Sequence, residues 1–187
     1  MNFILVGFVL ANLQLDLNLW AGYAIKLVGG LFFLGGIYEL GGLDKEADRL
    51  RAPGIVFSIS CAGAALAAFL LRESTAIRFT GIAAGAVTTA LAGLLFRLLF
   101  AMFKAKPGLV DNIPEVGRLC PRYDRMLILL AAVLTADCVN RFTSGTAADV
   151  SGFIAVYTKI AAYVFLAVCA LSVNKLRQSY NSAHPVG

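Results

Sequence analysis

Asp16, Lys26, Asp137 and Lys159 sit beside or within long apolar runs, the surroundings that hold a charge least easily. A charged side chain in hydrocarbon is costly unless it is paired or hydrated, so such residues point first to a polar site inside a helix bundle. Two carboxylates and two ammonium groups on one side of a bundle could bind a small charged or zwitterionic solute, or relay a proton. Glu39 and Arg97 form a second set, each a turn or two from the opposite ends of their runs, at matching depth for a structural ion pair. A blander account uses the same residues. Lys26 and Arg97 could extend their alkyl stems to the headgroups, and Asp137 could pair with Arg141 one turn on.

Enzyme chemistry finds little purchase. The sequence has no HExxH, no P-loop and no GxSxG, and no His or Cys lies beside a base within an apolar run. Glu39 and Asp137 are expected on opposite leaflets, so they make no carboxylate pair. Cys61, Cys120, Cys138 and Cys169 are scattered, with no CxxC and no nearby His, so neither a metal nor a cofactor is expected. Asp44, Glu46 and Asp48 alternate with Lys45, Arg49 and Arg51, which reads as a solvated, self-paired helix end. His184 falls in a polar tail and is expected in solvent.

The elements that must position these residues follow from composition. The chain of 187 residues is 59% hydrophobic and 14% charged, with mean hydropathy +0.80. A soluble domain carries about 25% charged residues, and one core of this size could not hide so much apolar surface. The expected fold is all-α, a polytopic transmembrane helical bundle forming a single domain over residues 1–187. Because the apolar runs are continuous rather than alternating, a membrane β-barrel is excluded. Five spans are expected, at about 26–43, 53–71, 79–103, 126–142 and 150–173, with a short hydrophobic helix at 2–12. Residues 2–13 lack a basic leader and a small-residue cleavage site, so they read as a helix rather than a signal peptide. From Leu13 to Ile25 polar and apolar residues alternate at first, which places the segment at the membrane interface, against the protein or beside water, with a helix running straight through residues 2–42 as the alternative. Gly29, Gly30, Gly35 and Gly36, and the Gly81–Gly85 pair, bare the backbone for close helix approach, within one chain or across a homodimer. Residues 104–125 form the longest polar connection, in which Asp111 or Asn112 could cap a short surface helix with Pro114 and Glu115 in its first turn. The tail from Lys175 is expected to fray.

Basic residues set the orientation. Lys45, Arg49, Arg51, Lys104, Lys106, Arg118, Arg122, Arg125, Lys175 and Arg177 fall on one side of the expected spans, and only Arg72, Arg78 and Arg141 on the other. Ten against three places the 104–125 loop and the C-terminus in the cytoplasm of a cell whose plasma membrane (a bacterial inner membrane) the chain crosses several times. The net charge of +5 is thereby accounted for without nucleic acid. The lipid bilayer is the one firm partner. Three functions stay open: a small-solute transporter or binding protein using an outward-facing cluster of Asp16, Lys26, Asp137 and Lys159, a non-catalytic membrane subunit or assembly factor that docks on another membrane protein through its basic loop, and an intramembrane enzyme whose carboxylate or Cys cluster the fold would have to assemble.

Ile25-Lys26-Leu27-Val28-Gly29-Gly30, followed by Gly36-Ile-Tyr-Glu-Leu40, resembles a group of small polytopic membrane proteins of Gram-positive bacteria over residues 1–52. In that group a short apolar helix is followed by an alternating segment and a Pro-Asp entry into a helix ending in Gly-x-x-x-Leu. Here Ile25-Lys26 stands in place of Pro-Asp, and Gly30 in place of a Tyr. The resemblance implies a non-helical entry over residues 13–25 and brings no activity with it.

Overall fold

The computed structural model describes residues 1–13, 19–41, 45, 47–71, 77–105 and 113–183. Among the described residues there are six α-helices, one 3₁₀ turn and no strand: α1 (Asn2–Asn12), α2 (Leu19–Gly41), the 3₁₀ turn (Ala47–Leu50), α3 (Arg51–Leu70), α4 (Ile77–Ala105), α5 (Ile113–Phe142) and α6 (Thr146–Ala183). Each helix packs on the next, and α6 closes the ring on α1, which also touches α4. Four stretches are long and apolar enough to cross a membrane: Leu19–Gly41, Ala47–Leu70, Phe79–Ala105 and Thr146–Ser182. Their outward faces carry Leu31, Ile59, Leu66, Phe79, Phe153 and Leu171, each more than half exposed. An apolar surface of that extent suits lipid, not water.

Local chemistry explains the boundaries. Leu13 takes an extended backbone (φ −74°, ψ 125°) and stops α1. The 3₁₀ turn runs straight into α3 through Leu50 in helical conformation, and Pro53 falls in the first turn, where its missing N–H costs nothing. Between α5 and α6 the chain reverses at Gly145, whose φ of +67° lies in the left-handed region open to glycine. Its carbonyl then accepts from the amides of Ala148 and Asp149 at 2.9 and 3.2 Å, starting α6.

Three boundaries differ from the sequence expectation. Residues 19–25 are helical rather than a non-helical entry, because Leu19-Trp-Ala-Gly-Tyr-Ala-Ile is apolar throughout and continues α2 without a breaker. Residues 113–125 are not loop. The helix that begins at Ile113, with Glu115 in its first turn, continues through Pro121 to Phe142. Val116, Leu119, Tyr123 and Met126 bury one face of it, and that stripe outweighs the single backbone bond that Pro121 removes. Nor does the tail fray at Lys175, since Leu176 and Tyr180 extend the buried stripe of Cys169 and Val173 and hold α6 to Ala183. Gln14 to Asn18, which include Asp16, and His184 lie outside the described residues.

The two halves of the bundle are packed differently. Toward the end bearing Met1 and the basic residues, Phe8, Phe33, Phe96, Phe100 and Tyr123 are fully buried with ring centroids 5.0 to 6.4 Å apart. Here α1 lies against α2 at backbone distance: a Cβ at Gly7 would stand 2.7 Å from the Phe33 amide nitrogen, and one at Gly29 2.6 Å from that of Ala11. Toward the other end the buried side chains are smaller, Tyr23, Ala64 and Ala68 with Leu19, Ala65 and Ala84, and Val133, Ala136 and Ala155 on α5 and α6, a thin filling by comparison.

Candidate functional site

In a bundle of this kind the inward stripe of each helix decides what its interior is made of. On α2 that stripe is Tyr23, Lys26, Gly30, Phe33, Ile37 and Leu40, all buried. Lys26 is only 6% exposed, held inside the bundle rather than on its outer surface. It lies about 10 Å inside the start of α2 at 1.5 Å per residue, with the thiol of Cys61 on α3 as its electrostatic neighbour among the described residues. A thiol is a poor counterion for an ammonium group. On α5 the buried series Tyr123, Met126, Leu130 and Val133 reaches half-buried Asp137 one turn later. On α6 half-buried Lys159 falls between Ala155 and Ala162, both buried. Asp137 and Lys159 each hold an interaction partner.

Cross-helix contacts fix the levels of these residues. Arg122 bonds Ser172, and a Cβ at Gly152 would lie 3.8 Å from Asn140 Nδ2, so α5 and α6 run antiparallel in a single register. That register sets Asp137 level with Ala155 to Tyr157, and Lys159 within about one turn of it. Tyr23 joins the other side. Its hydroxyl donates to the Gly81 carbonyl at 2.8 Å, and a Cβ at Gly85 would lie 3.6 Å from that hydroxyl and 3.1 Å from Leu134 Cδ2. The tip of Tyr23 is thus level with Leu134, one turn from Asp137. Lys26, Asp137 and Lys159 occupy inward or half-inward positions on three helices in the thinly filled half of the molecule. Gly85 itself packs within the chain, against Leu134 and the Tyr23 hydroxyl.

The expected Glu39–Arg97 pair does not form. Glu39 Oε2 accepts from the Met1 ammonium at 2.8 Å, and Arg97 Nε lies 3.0 Å from Asp124 Oδ1. Two polar groups escaped sequence reasoning. The Tyr123 hydroxyl, fully buried, points at Asn12 Oδ1 and the Ala92 carbonyl, both at 3.2 Å, while Asn12 Nδ2 donates to the Phe8 carbonyl at 2.9 Å. This knot ends α1 inside the bundle. At the basic end Arg122 Nη1 donates to Ser172 Oγ at 2.9 Å and to Glu115 Oε1 at 3.4 Å. A hydrogen bond from Ser172 holds the Glu115 carboxyl below the usual range, with Lys175, Arg122 and Arg118 adding to it and burial opposing. The seven-residue spacing of Glu115 and Arg122 was the available signal.

Open grooves of about 520 to 750 Å³ run between α3 and α4, α4 and α5, and α5 and α6. They are lined mostly by Ala, Thr, Gly and Val and face outward, and among the described residues none is lined by Lys26, Asp137 or Lys159. No group of three His, Cys, Asp or Glu that could hold a metal occurs among the described residues, and all four cysteines are free thiols. No family model matches the chain, and no curated protein or solved structure matches it. The site itself therefore carries the functional reading.

Proposed function

We propose that this is a multi-pass membrane protein, with α5 as a fifth span and the basic end and C-terminus in the cytoplasm, that binds a small charged or zwitterionic solute on its outward side as a transporter or solute-binding protein. One observation carries this reading. The inward stripes of α2, α5 and α6 each meet an ionisable residue in the half away from the basic end, Lys26, Asp137 and Lys159, whereas the buried carboxylate of the basic half, Glu115, is already bonded to Arg122. Placing charge at such positions is expensive, and one helix alone would avoid it by rotating. Three helices doing so in the same half, with both signs of charge present, suit a ligand that offers an ammonium and a carboxylate. Asp16, in the segment leading into α2, supplies the fourth group.

Purified protein in detergent would be screened by thermal shift against free amino acids, polyamines and small carboxylates. At least one class is expected to raise the melting midpoint, and Lys26→Met, Asp137→Asn and Lys159→Met are expected to abolish the rise. Variants that melt like the parent and still respond to the same solute would end the proposal, as would a parent that responds to none.

A further inference from the structure

At the basic end, the seam between α5 and α6 holds more positive charge than it neutralises. Arg118, Arg122 and Lys175 all act on the single carboxylate of Glu115. Arg122 is held by Ser172 at 2.9 Å and by Glu115 at 3.4 Å, and the Glu115 side chain is 7% exposed, so that carboxylate is occupied and turned inward. Arg118 and Lys175 remain exposed on either side of the seam. Arg118 and Arg122 are one turn apart on α5, and Lys175 stands one turn beyond Ser172 on α6, so the three cations share a face.

Depth decides what the face meets. The apolar run of α5 starts at Met126, which puts Arg122 about 6 Å outside it and Arg118 about 12 Å outside it; the α5–α6 register sets Lys175 level with Arg118, so these two would meet a headgroup phosphate beside Arg122 from its aqueous side. The headgroup layer of one leaflet occupies about 5 to 7 Å beyond the hydrocarbon. Basic pockets between transmembrane helices at that level suit lipid phosphate.

We propose that the Arg118–Arg122–Lys175 face is a seat for the phosphate of an anionic lipid headgroup, with Arg122 oriented by Ser172 and Glu115 and the exposed pair closing on the ligand. The site rests on the reading that the apolar helices lie in a bilayer, and is independent of the solute site. Full-length protein in zwitterionic detergent would be titrated with short-chain phosphatidylglycerol, short-chain phosphatidylcholine or inorganic phosphate, following the melting midpoint. Phosphatidylglycerol alone is expected to raise it, and each exposed charge removed, as Arg118→Gln or Lys175→Gln, to weaken the apparent affinity about fivefold. Both residues are exposed, so these variants should fold, and Lys159→Met should keep the full lipid response even if every solute response fails. A double variant with the parent's lipid response would overturn the assignment. So would an equal response to inorganic phosphate, or crosslinking of a protein rather than a lipid at position 118.

Discussion

Tyr123→Phe tests the knot that ends α1. The substitution keeps the ring and its packing against Phe8, Phe96 and Phe100, at 5.6, 6.2 and 5.4 Å, and removes only the hydroxyl. The Ala92 carbonyl loses little, since it lies within α4 and keeps its helical bond. Asn12 Oδ1 is left without its donor in a residue 3% exposed. An orphaned buried acceptor costs about 1–3 kcal/mol in a soluble core. Hydrogen bonds between membrane helices are worth less, about 0.6 kcal/mol on average and about 1.7 at most. The membrane value governs here, because an unfolded chain in a micelle also finds partners. Tyr123→Phe should therefore cost about 1 kcal/mol, whereas Tyr123→Ala, which opens a cavity among those rings, should cost about 3–5. Equilibrium unfolding by SDS in mixed micelles would measure both. A double-mutant cycle with Asn12→Leu isolates the bond, with a coupling of about 0.6–1.7 kcal/mol expected. If Tyr123→Phe costs as much in the Asn12→Leu background as in the parent, the bond to Asn12 contributes nothing and the account of how α1 is anchored is wrong.

Other consequences can be checked with the same protein. Gly7→Ala drives a methyl against the Phe33 backbone, which cannot yield, so α1 must lift from α2 at a cost of about 1–3 kcal/mol. Gly63→Ala meets nothing within 4 Å and should be neutral or stabilise by up to about 1 kcal/mol; equal melting of the two variants would contradict the α1–α2 packing. Glu115 has its folded pKa below the usual 4.5 through Ser172 and the surrounding cations, so its contribution is present above that pH and lost as pH falls through the folded value. Glu115→Gln should accordingly lower the unfolding midpoint at pH 7, with the gap to the parent closing in acid, and a gap independent of pH would remove the ion pairing from the explanation. Cys61 and Cys169 are buried and should resist maleimide until SDS is added, as intact-mass measurement would show; labelling of Cys61 in the folded protein would mean the α2–α3 seam is open.

Helicity and membrane character were legible because the apolar runs are continuous, and continuous runs leave helices as the way to satisfy backbone in lipid. Helix ends were not. Hydropathy detects the part of a helix that is apolar on every face, so it stops at Met126 and Val173, whereas Leu119 and Tyr123 on α5, and Leu176 and Tyr180 on α6, continue the buried stripe under a polar exterior. The supposed Glu39–Arg97 pair failed for a related reason: equal depth says nothing about direction around the helix axis. In an apolar helix, polarity cannot report the inward face, but size can. On α6 the residues flanking Lys159 inward are Ala155 and Ala162, while Phe153, Tyr157 and Ile160 point out. That asymmetry was present in the sequence and would have turned Lys159 inward.

Anchoring and polar chemistry fall in different halves of the molecule, and that separation has its own measurable consequence. α1 is eleven residues long, about 16 Å at 1.5 Å per residue, roughly half of a 30 Å hydrocarbon layer. It stands in the ring between α2 and α6 in the basic half, where the aromatic cluster and the Asn12–Tyr123 bond lock it, and ends before the level of Lys159. The closely packed half can therefore offset the cost of ionisable residues held in the thin half. Tyr123 and Asp137 lie fourteen residues apart on one helix, about 21 Å along its axis, beyond the range at which substitutions usually couple. Tyr123→Phe combined with Asp137→Asn should thus show stability costs that add within about 0.5 kcal/mol, and Tyr123→Phe should leave any solute-dependent shift intact. A strong coupling between the two would mean that α1 moves when the polar half is altered, and the separation of anchor from site would have to be abandoned.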